Sequence, residues 1–546
     1  MHSIFLKFLA LCGLFSSKGH GLAVTHQFLD FQSHCNSLSN LTAVGDYEVT
    51  VLRSEYVAAG STLNLTAEGR NVTCATWDAP AYSASACRLV LQVPTSNASS
   101  IKMEVWLPEE WSGRFLSTGN GGFAGCIQYT DIAYATSYSF ATVGTDNGHS
   151  GQSIGAAYHQ PEIMEDFVGR ALYTGVVIGK DVTKQFYGPD QSHDMKSYYL
   201  GCSTGGRQGW KAVQTYPELF DGVSVGAPAI DFVGQLQWLG YVLQTLGTNT
   251  SETWLTDNDW KEVHEEVLDR CDKLDGAADG IVEEIRRCHP DPSDWLCDNT
   301  TDSAWCLAPA QVEAVRKIFT PFVINGTVFH AGAAHGNEAR LMQAILYGGL
   351  AIPWITEWMR YIVKEDLSWN WPQWNEADAL ESLRQNPFNV QTYDGDISAF
   401  RNRGGKVLHW HGEADEYISV TNSDRYYDIV AGTLNASTTE LDEFYRYFRV
   451  SGLGHCSGGP GSNMLGQTLA HAAGDDAENN ILTRIVEWVE LGKAPETIRA
   501  TKFVDDDITK ETLYARKHCR YPKTNLYSGV GNGTNEDGWN CVDYKA

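Results

Sequence analysis

The feature that most constrains this chain of 546 residues is a serine at a predicted strand-to-helix junction. Residues 197–200 have the apolar character of a buried strand, and residues 207–219 have the periodicity of a helix. Between them lies Gly-Cys-Ser-Thr-Gly, in which Ser203 is the central residue. Flanking glycines let neighbouring backbone approach a serine on a sharp turn, which presents its hydroxyl for reaction. We therefore expect Ser203 to be a nucleophile.

The segments around this turn predict a mostly parallel sheet. Residues 40–110 have the pattern of short strands separated by turns. Beyond them, helix-like segments alternate with strand-like runs at 114–117, 140–144, 197–200, 220–227 and 405–410. Such alternation favours a parallel sheet covered on both faces, so we expect the α/β class.

The alternation stops between residues 231 and 389, a segment with four cysteines, an Asp/Gly-rich loop and ten of the seventeen tryptophans. We interpret this segment as an insertion, because the α/β pattern resumes at residues 405–410. The expected organisation is a catalytic domain over residues 24–230 and 390–546, with an inserted lid domain over residues 231–389.

The N-terminus predicts export. A short apolar run is followed by Gly21-Leu22-Ala23, which indicates a signal peptide over residues 1–23; a buried N-terminal helix is the alternative. Its removal would leave twelve cysteines, an even number that fits six disulfides in an oxidising compartment. Nine Asn-x-Ser/Thr sequons fit an N-glycosylated surface. We expect a secreted, extracellular protein.

Charge and hydropathy exclude two kinds of partner. The formal net charge of −27 would repel nucleic-acid phosphates and anionic membrane surfaces. Beyond the N-terminal run, no stretch approaches the length of apolar sequence, about 18 residues, that a membrane span needs. We therefore expect no nucleic acid and no membrane as partners.

Two later segments supply the partners that a serine nucleophile needs. A predicted strand at residues 405–410 leads to Asp415, and a Gly-rich loop carries His455. Serine, acid and histidine follow one another in the order used by α/β-hydrolases. We expect Asp415 to hold the histidine tautomer and His455 to move the Ser203 proton, in an α/β-hydrolase core that carries the lid. Glu413 is the rival acid, and an ordinary loop histidine is the alternative for His455.

A neighbouring pair of histidines allows a different chemistry. His409 and His411 alternate on one face of the predicted strand and, with Glu413 or Asp415, could bind a metal for metal-assisted hydrolysis. Histidines in such positions more often pack in the core.

Cysteines stand beside both reactive residues. Cys202 directly precedes Ser203, and Cys456 directly follows His455. A disulfide between them would bring Ser203 and His455 to neighbouring positions, because disulfide geometry is strict; bonding of each cysteine elsewhere is the alternative. Near-neighbour pairing is expected for three further pairs: Cys271 with Cys288, Cys297 with Cys306, and Cys519 with Cys541. The early cysteines Cys35, Cys74, Cys87 and Cys126 allow three connectivities.

These residues carry a family resemblance. Gly201-Cys202-Ser203-Thr204-Gly205-Gly206, Asp415 and Gly454-His455-Cys456 resemble the Cys-Ser, Asp, His-Cys signature of the tannase/feruloyl esterase family. In length and segment positions the sequence looks most similar to the fungal B-type feruloyl esterases. The resemblance implies an α/β-hydrolase core with a lid, and it favours pairing of Cys35 with Cys87 and of Cys74 with Cys126.

The resemblance also implies an activity. Members of this kind hydrolyse feruloyl or other hydroxycinnamoyl esters of plant cell-wall polysaccharides, here through an acyl-enzyme on Ser203. Tannase activity on galloyl esters is the nearest alternative. A non-catalytic phenol- or carbohydrate-binding protein on a hydrolase scaffold is a third, because a fold does not prove an activity. We expect a monomer or a homodimer.

Calcium is the cofactor that the sequence favours. Residues 271–284 concentrate carboxylates on a glycine-bent loop, which offers calcium the oxygen ligands that it prefers, although the spacing is not that of an EF-hand. The family resemblance implies a structural lid site made of these ligands: the carboxylates of Asp272, Asp275 and Asp279 and the backbone carbonyls of Ala277 and Ile281. A solvated acidic turn is the alternative.

Two features remain as candidates around the nucleophile. The backbone N–H of Thr204 is the first expected oxyanion donor, and Gly121 or Gly122 in the Gly-rich stretch 118–125 is the second, with a plain turn as the alternative. Tryptophans of the insertion offer planes on which a phenolic ring would stack, although such residues more often form a core. They are Trp354, Trp358, Trp369, Trp371 and Trp374.

Overall fold

A computed structural model describes residues 30–74, 81–297, 305–347 and 350–544. The predicted signal peptide lies outside these residues. Within the described ranges, no helix is both long enough and apolar enough to cross a membrane.

A nine-stranded sheet organises the chain. Its strands are β1 (Thr50–Val57), β2 (Ala86–Pro94), β3 (Ser100–Pro108), β4 (Arg114–Thr118), β5 (Ala141–Thr145), β6 (Lys196–Cys202), β7 (Gly222–Gly226), β8 (Lys406–Gly412) and β9 (Tyr445–Val450). The spatial order is β9-β8-β7-β6-β4-β5-β3-β2-β1. Strands β4 to β9 are mutually parallel, whereas β1 to β3 extend the sheet as antiparallel strands. The α/β class predicted from the sequence is confirmed.

Helices cover this sheet and form most of the insertion. After a helical stretch at residues 30–37, the longer helices are α1 (Tyr129–Ser137), α2 (Ala171–Tyr187), α3 (Thr204–Thr215), α4 (Phe232–Leu246), α5 (Asp257–Cys271), α6 (Pro309–Ile318), α7 (Glu338–Ile345), α8 (Glu376–Gln385), α9 (Val420–Leu434) and α10 (Ile481–Leu491). The periodicity of residues 162–186 predicts one long helix. The structure instead has a short helix, Pro161–Glu165, and a π-helical turn, Asp166–Arg170, that lead into α2.

Alternate residues of the parallel strands feed two separate cores. Val223 and Val407 pack with α2, α3 and α9 on one face of the sheet. Leu408 and Phe448 pack with α1 and α10 on the other face. Because both faces are covered, β5 and β7 are buried along their whole length, which fits their small and uncharged residues.

Residues 227–405 lie between β7 and β8 and include helices α4 to α8. Their apolar side chains build a third core that starts within this segment at Ala229 and includes Val390. Ile230 and Ile397 belong instead to the core between the sheet and helices α2, α3 and α9. The boundaries at residues 231 and 389 stay a prediction, because the third core also includes residues outside the insertion. The insertion packs over the carboxyl ends of the strands through contacts with Phe123 and Phe167.

Short hairpins complete the described chain. Two lie in the insertion, Phe322–Ile324 with Thr327–His330 and Leu346–Tyr347 with Leu350–Ala351, and one near the N-terminus, Ala43–Val44 with Tyr47–Glu48. At the C-terminal end, β10 (Thr497–Phe503) pairs with β11 (Thr512–Cys519), and β12 (Thr524–Tyr527) pairs with β13 (Trp539–Val542). Strand β11 contributes Arg516, which forms ion pairs with Asp279 and Glu283 of the insertion.

Candidate active site

Ser203 occupies the sharp turn between β6 and α3. Its backbone has φ +64° and ψ −125°, a strained conformation for a residue with a side chain. The turn is held to the end of β7, because the Ser203 N–H donates to the Gly226 carbonyl over 3.0 Å and the Ala229 N–H donates to the Ser203 carbonyl over 3.1 Å. A Cβ on Gly201 would come within 2.8 Å of the Gly205 carbonyl group, so glycine is required at this position. The surrounding structure thus fixes the serine hydroxyl at the end of the sheet.

The structure brings together the three side chains that the sequence singled out. His455 Nε2 lies 2.9 Å from Ser203 Oγ. His455 Nδ1 lies 2.8 Å from Asp415 Oδ2 and 3.0 Å from Oδ1. An ionised Asp415 can only accept hydrogen bonds, so His455 Nδ1 carries a proton and donates to it. His455 Nε2 therefore has the lone pair that can accept the serine proton.

Electrostatics favour this arrangement. Burial opposes the charged form of Asp415, but the charge of His455 and hydrogen bonds from His411 and His455 lower the pKa of Asp415 well below its usual range. Burial also opposes a charged His455, yet the charge and hydrogen bond of Asp415, with the charge of Glu416, raise the pKa of His455 overall. Asp415 is therefore a permanent anion, and His455 is a stronger base than a free imidazole.

The loop after β8 holds the acid in place. The N–H groups of Tyr417 and Ile418 donate to Asp415 Oδ1 over 2.9 and 2.8 Å. Glu416 Oε2 accepts the backbone N–H of His455 over 2.9 Å. Neither Glu416 nor Tyr417 belongs to a recognisable motif, and their proximity to Asp415 in the chain was the only sequence signal. Glu413, the rival acid, forms an ion pair with Arg449 Nη1 at 3.1 Å and makes no hydrogen bond to His455 in the described structure.

His409 and His411 form a hydrogen-bonded chain behind Asp415. His411 Nε2 lies 3.1 Å from Asp415 Oδ2 and 3.0 Å from the Ile418 carbonyl, so it carries the proton. Ser423 Oγ lies 2.7 Å from His411 Nδ1 and 3.0 Å from His409 Nε2. His409 Nδ1 in turn lies 3.0 Å from the Tyr445 hydroxyl. Because both nitrogens of each ring are engaged, this histidine pair is not open to a metal, which corrects the metal-binding alternative.

Six disulfides are formed by the described cysteines. They are Cys35–Cys87, Cys74–Cys126, Cys202–Cys456, Cys271–Cys288, Cys297–Cys306 and Cys519–Cys541. These are the pairings expected from neighbouring positions and from the family resemblance. Cys202–Cys456 joins residues 254 positions apart, with a Cα–Cα distance of 6.0 Å, and ties the Ser203 turn to the His455 loop.

The Gly-rich stretch after β4 adjoins the nucleophile. Thr204 Oγ1 donates to the Gly122 carbonyl over 2.8 Å, which fastens this stretch to the start of α3. The Ala124 N–H donates to the Gly121 carbonyl over 3.0 Å and closes a turn, in which Gly122 has φ +54°. Asn120 anchors the turn, because its N–H donates to Gln208 Oε1 over 2.9 Å. Gly121 and Gly122 both line the cleft beside Ser203. Of the two, Gly122 is the one whose carbonyl accepts the hydrogen bond from Thr204.

Two spaces adjoin Ser203. The inner pocket is narrow, and its apolar lining comprises Phe123, Ala229, Phe232, Leu236, Trp354 and Ile418. The outer cleft has about 1340 Å³ of space open to solvent, and its polar lining includes Gln128, Thr130, Asp131, Gln152, Ser457 and Thr468. His455 lies on the wall of the outer cleft.

Of the five tryptophans singled out in the sequence, Trp354 lines both spaces. Trp358, Trp369 and Trp374 are buried in the core of the insertion, and Trp371 packs against that core. Trp358 still supports the site indirectly, because its ring packs against Phe123 and Phe232 with centroid distances of 6.3 and 5.5 Å.

The predicted calcium ligands lie in one loop that follows α5. Asp272 Oδ1 accepts the N–H groups of Asp279, Gly280 and Ile281, and Asp275 Oδ1 accepts that of Ala277. Asp275 Oδ2 is buried without a hydrogen-bond partner. Asp279 forms an ion pair with Arg516. Among the described residues, no three His, Cys, Asp or Glu side chains lie close enough together to form a metal site by themselves. The oxygen-rich donor set and the Asp275 oxygen without a partner have the chemistry that calcium prefers.

A serine on a strand-to-helix turn, with an aspartate and a histidine following two later strands of a parallel sheet, defines an α/β-hydrolase with a serine–histidine–aspartate site. The family described as Tannase and feruloyl esterase matches residues 87–542. The chain belongs to the tannase and feruloyl esterase family.

Individual relatives agree with this membership. "Probable feruloyl esterase B-2" of Aspergillus terreus is 45% identical over 513 residues, covering 94% of this chain and 95% of the relative. "Probable feruloyl esterase B" of Aspergillus clavatus is 46% identical over 514 residues, covering 94% and 96%. The crystal structure of feruloyl esterase B from Aspergillus oryzae is 42% identical with a TM-score of 0.88, covering 94% of this chain and 100% of that one.

Replacement of His411 tests its role as a positioning residue behind Asp415. In His411→Ala the Asp415 carboxylate loses a hydrogen-bond donor. The negative charge of Asp415 then acts more strongly on His455 and raises the pKa of His455. Activity requires neutral His455 and is lost as the pH falls through that pKa. We therefore expect the acid limb of the kcat/KM profile on p-nitrophenyl acetate to move to higher pH, and kcat to fall about tenfold.

His411→Gln is the matched variant, because its side-chain amide keeps an N–H donor. It should restore part of kcat and return the acid limb towards that of the parent protein. A parent-like acid limb in His411→Ala, in protein whose thermal unfolding shows that it is folded, would contradict the role of His411.

Proposed function

We propose that this chain is a secreted carboxylic ester hydrolase that cleaves feruloyl, or more generally hydroxycinnamoyl, esters of plant cell-wall polysaccharides. The observation that carries the proposal is the 2.9 Å contact between His455 Nε2 and Ser203 Oγ at the mouth of an aromatic pocket. The feruloyl esterase names of relatives that cover almost the whole chain support the choice of substrate.

The reaction begins with acylation of Ser203. His455 Nε2 takes the hydroxyl proton as Ser203 Oγ attacks the ester carbonyl carbon, and Asp415 stabilises the resulting imidazolium. The negative oxygen of the tetrahedral intermediate is bound by the backbone N–H groups of Thr204 and Gly122. When the intermediate collapses, the bond to the alcohol oxygen breaks and His455 gives its proton to that oxygen. Ser203 then carries the acyl group.

Deacylation repeats these steps with water. His455 takes a proton from a water molecule, whose oxygen attacks the acyl carbon and forms a second tetrahedral intermediate. Collapse breaks the bond to Ser203 Oγ, and His455 returns the proton to the serine. The products are a hydroxycinnamic acid and a sugar hydroxyl, and the site returns to its starting state.

The inner pocket favours a hydroxycinnamoyl group over a galloyl group. Phe123, Phe232 and Trp354 offer apolar ring surfaces to a planar aromatic acid. The polar side chain of Gln235 also borders the pocket, but its amide is already bonded to the Tyr417 carbonyl over 2.6 Å and to His330 over 2.9 Å. Apart from Tyr417, which also borders the pocket, such a lining offers few free partners to three phenolic hydroxyls, at an energetic cost. Tannase activity is therefore the second candidate.

Secretion and glycosylation belong to the same proposal. The six disulfides fit an oxidising compartment. Seven sequon asparagines are exposed: Asn40, Asn64, Asn97, Asn249, Asn325, Asn435 and Asn532. Asn71 is half-buried, and Asn299 lies outside the described residues. We propose that the exposed sequons are the glycan acceptors.

We propose a structural calcium ion held by the carboxylates of Asp272, Asp275 and Asp279 and the carbonyls of Ala277 and Ile281. Its support is the orphaned Asp275 oxygen in an all-oxygen donor set. The ion would neutralise buried carboxylates and clamp the loop of the insertion. It would take no part in the steps at Ser203.

Elemental analysis tests the calcium proposal. Purified protein should contain about one calcium per chain, and its removal by a chelator should lower the melting temperature, because an ion bound only by the folded state stabilises that state. Asp275→Asn should lose the calcium and the response to chelator, whereas the surface variant Asp190→Asn should keep both. Parent protein without calcium, and with a melting temperature unaffected by chelator, would contradict the proposal.

Ser203→Ala tests the esterase proposal. We expect the loss of methyl ferulate hydrolysis by a factor of at least about 10⁴, because the nucleophile is removed, with an unchanged melting curve. The parent protein should hydrolyse methyl ferulate and methyl p-coumarate with higher kcat/KM than methyl gallate. Residual parent-like activity in Ser203→Ala would refute the nucleophile, and a preference for methyl gallate would favour tannase activity.

A further inference from the structure

The two spaces beside Ser203 differ in chemistry. The inner pocket is bordered mainly by aromatic and aliphatic side chains, whereas the outer cleft is wide and includes several polar side chains in its lining. An ester substrate has two halves that meet at the carbonyl carbon attacked by Ser203. Because both spaces adjoin Ser203, one half of the ester can enter the inner pocket while the other lies in the outer cleft.

The position of His455 decides which half goes where. His455 borders the outer cleft and is not part of the inner-pocket lining. In the proposed reaction, His455 Nε2 gives its proton to the departing alcohol oxygen, so that oxygen must lie within hydrogen-bond reach of Nε2. The alcohol half thus belongs on the His455 side, in the outer cleft. The acyl half occupies the inner pocket.

Asp131 is the acidic residue in the lining of the outer cleft. It lies in the first turn of α1, half-buried, and borders the cleft. Its carboxylate makes no hydrogen bond or ion pair within the described part of the chain. Burial raises the pKa of Asp131 to about 7, and the tyrosines that face it, Tyr134 on α1 and Tyr199 on β6, are buried and carry no positive charge. A partly desolvated carboxyl group without a partner in a cleft is a mark of a ligand site.

We propose that the outer cleft is the binding subsite for the sugar half of the ester, with the Asp131 carboxylate as the hydrogen-bond acceptor for sugar hydroxyls. The inference rests on the proposed esterase function and extends it to the alcohol. Above its pKa of about 7, where the test below is made, the ionised Asp131 carboxylate has two oxygens that accept hydrogen bonds, which suits a neutral sugar with adjacent hydroxyl donors. Gln128, Thr130 and Ser457 add polar groups to the same wall. Anionic alcohols such as uronic acids are disfavoured by like charge.

The test compares two esters that share an acyl group and differ in the alcohol. The ratio of kcat/KM for a feruloyl ester of a neutral pentose to kcat/KM for methyl ferulate is measured for the parent protein, Asp131→Ala and Asp131→Asn. We expect the ratio to fall about tenfold in Asp131→Ala, because a charge-assisted hydrogen bond to the sugar is lost, and to fall less in Asp131→Asn. Asp190→Asn, which removes a charge from an exposed site, should leave the ratio unchanged.

An unchanged ratio in Asp131→Ala, in folded protein, would overturn the subsite. The subsite would also be overturned if Asp131→Ala changed the ratio of kcat/KM for methyl ferulate to kcat/KM for methyl cinnamate but left the pentose-ester ratio unchanged. Asp131 would then act on the acyl half of the ester. Failure of the parent protein to hydrolyse either ester would instead overturn the proposed function, and the sugar subsite with it.

Discussion

The disulfide between Cys202 and Cys456 is the constraint on which the active site depends. The Ser203 turn follows β6 and the His455 loop follows β9, and two other strands, β7 and β8, separate them in the sheet. Strands lie about 4.8 Å apart, so the ends of β6 and β9 are roughly 14 Å apart. The histidine loop must reach back across this distance. The disulfide fixes Cys202 and Cys456, the residues adjoining Ser203 and His455, at a Cα–Cα distance of 6.0 Å.

The insertion completes this arrangement from the other side. Three of its side chains each bond to one residue of the acid loop: Asn337 Nδ2 to the Asp415 carbonyl over 2.6 Å, Arg340 Nη2 to Glu416 Oε1 over 3.0 Å, and Gln235 Nε2 to the Tyr417 carbonyl over 2.6 Å. The segment that lines the inner pocket therefore also positions the acid. A change in the insertion is expected to alter substrate binding and the geometry of Asp415 together.

The sequence predicted the parts of this protein that depend on local pattern. The Gly-x-Ser-x-Gly turn, the alternation of strands and helices, and the cysteines beside Ser203 and His455 led to the fold, the family and the disulfide pairs. Apart from the Cys202–Cys456 bond and the Ser203–His455 proximity that it implies, the sequence did not predict contacts between distant segments. The partner of Glu413 is Arg449 on the neighbouring strand, and the chain from His411 to Tyr445 depends on the register of β8 with β9. Nor does any motif mark Asp131, whose place at the cleft depends on the packing of α1 against β3, β4 and β5.

The central claim is that a covalent tie sets the distance between serine and histidine. It is tested by kcat of Cys202→Ala/Cys456→Ala, measured well below its melting temperature, against Cys519→Ala/Cys541→Ala as a control that removes a distant disulfide. Both variants should lose stability, the first by up to about 5 kcal/mol because its loop is long. We expect kcat to fall about a hundredfold in the first variant, since displacement of reacting groups by an ångström is costly, and to stay near the parent value in the control. A parent-like kcat in folded Cys202→Ala/Cys456→Ala would contradict the account.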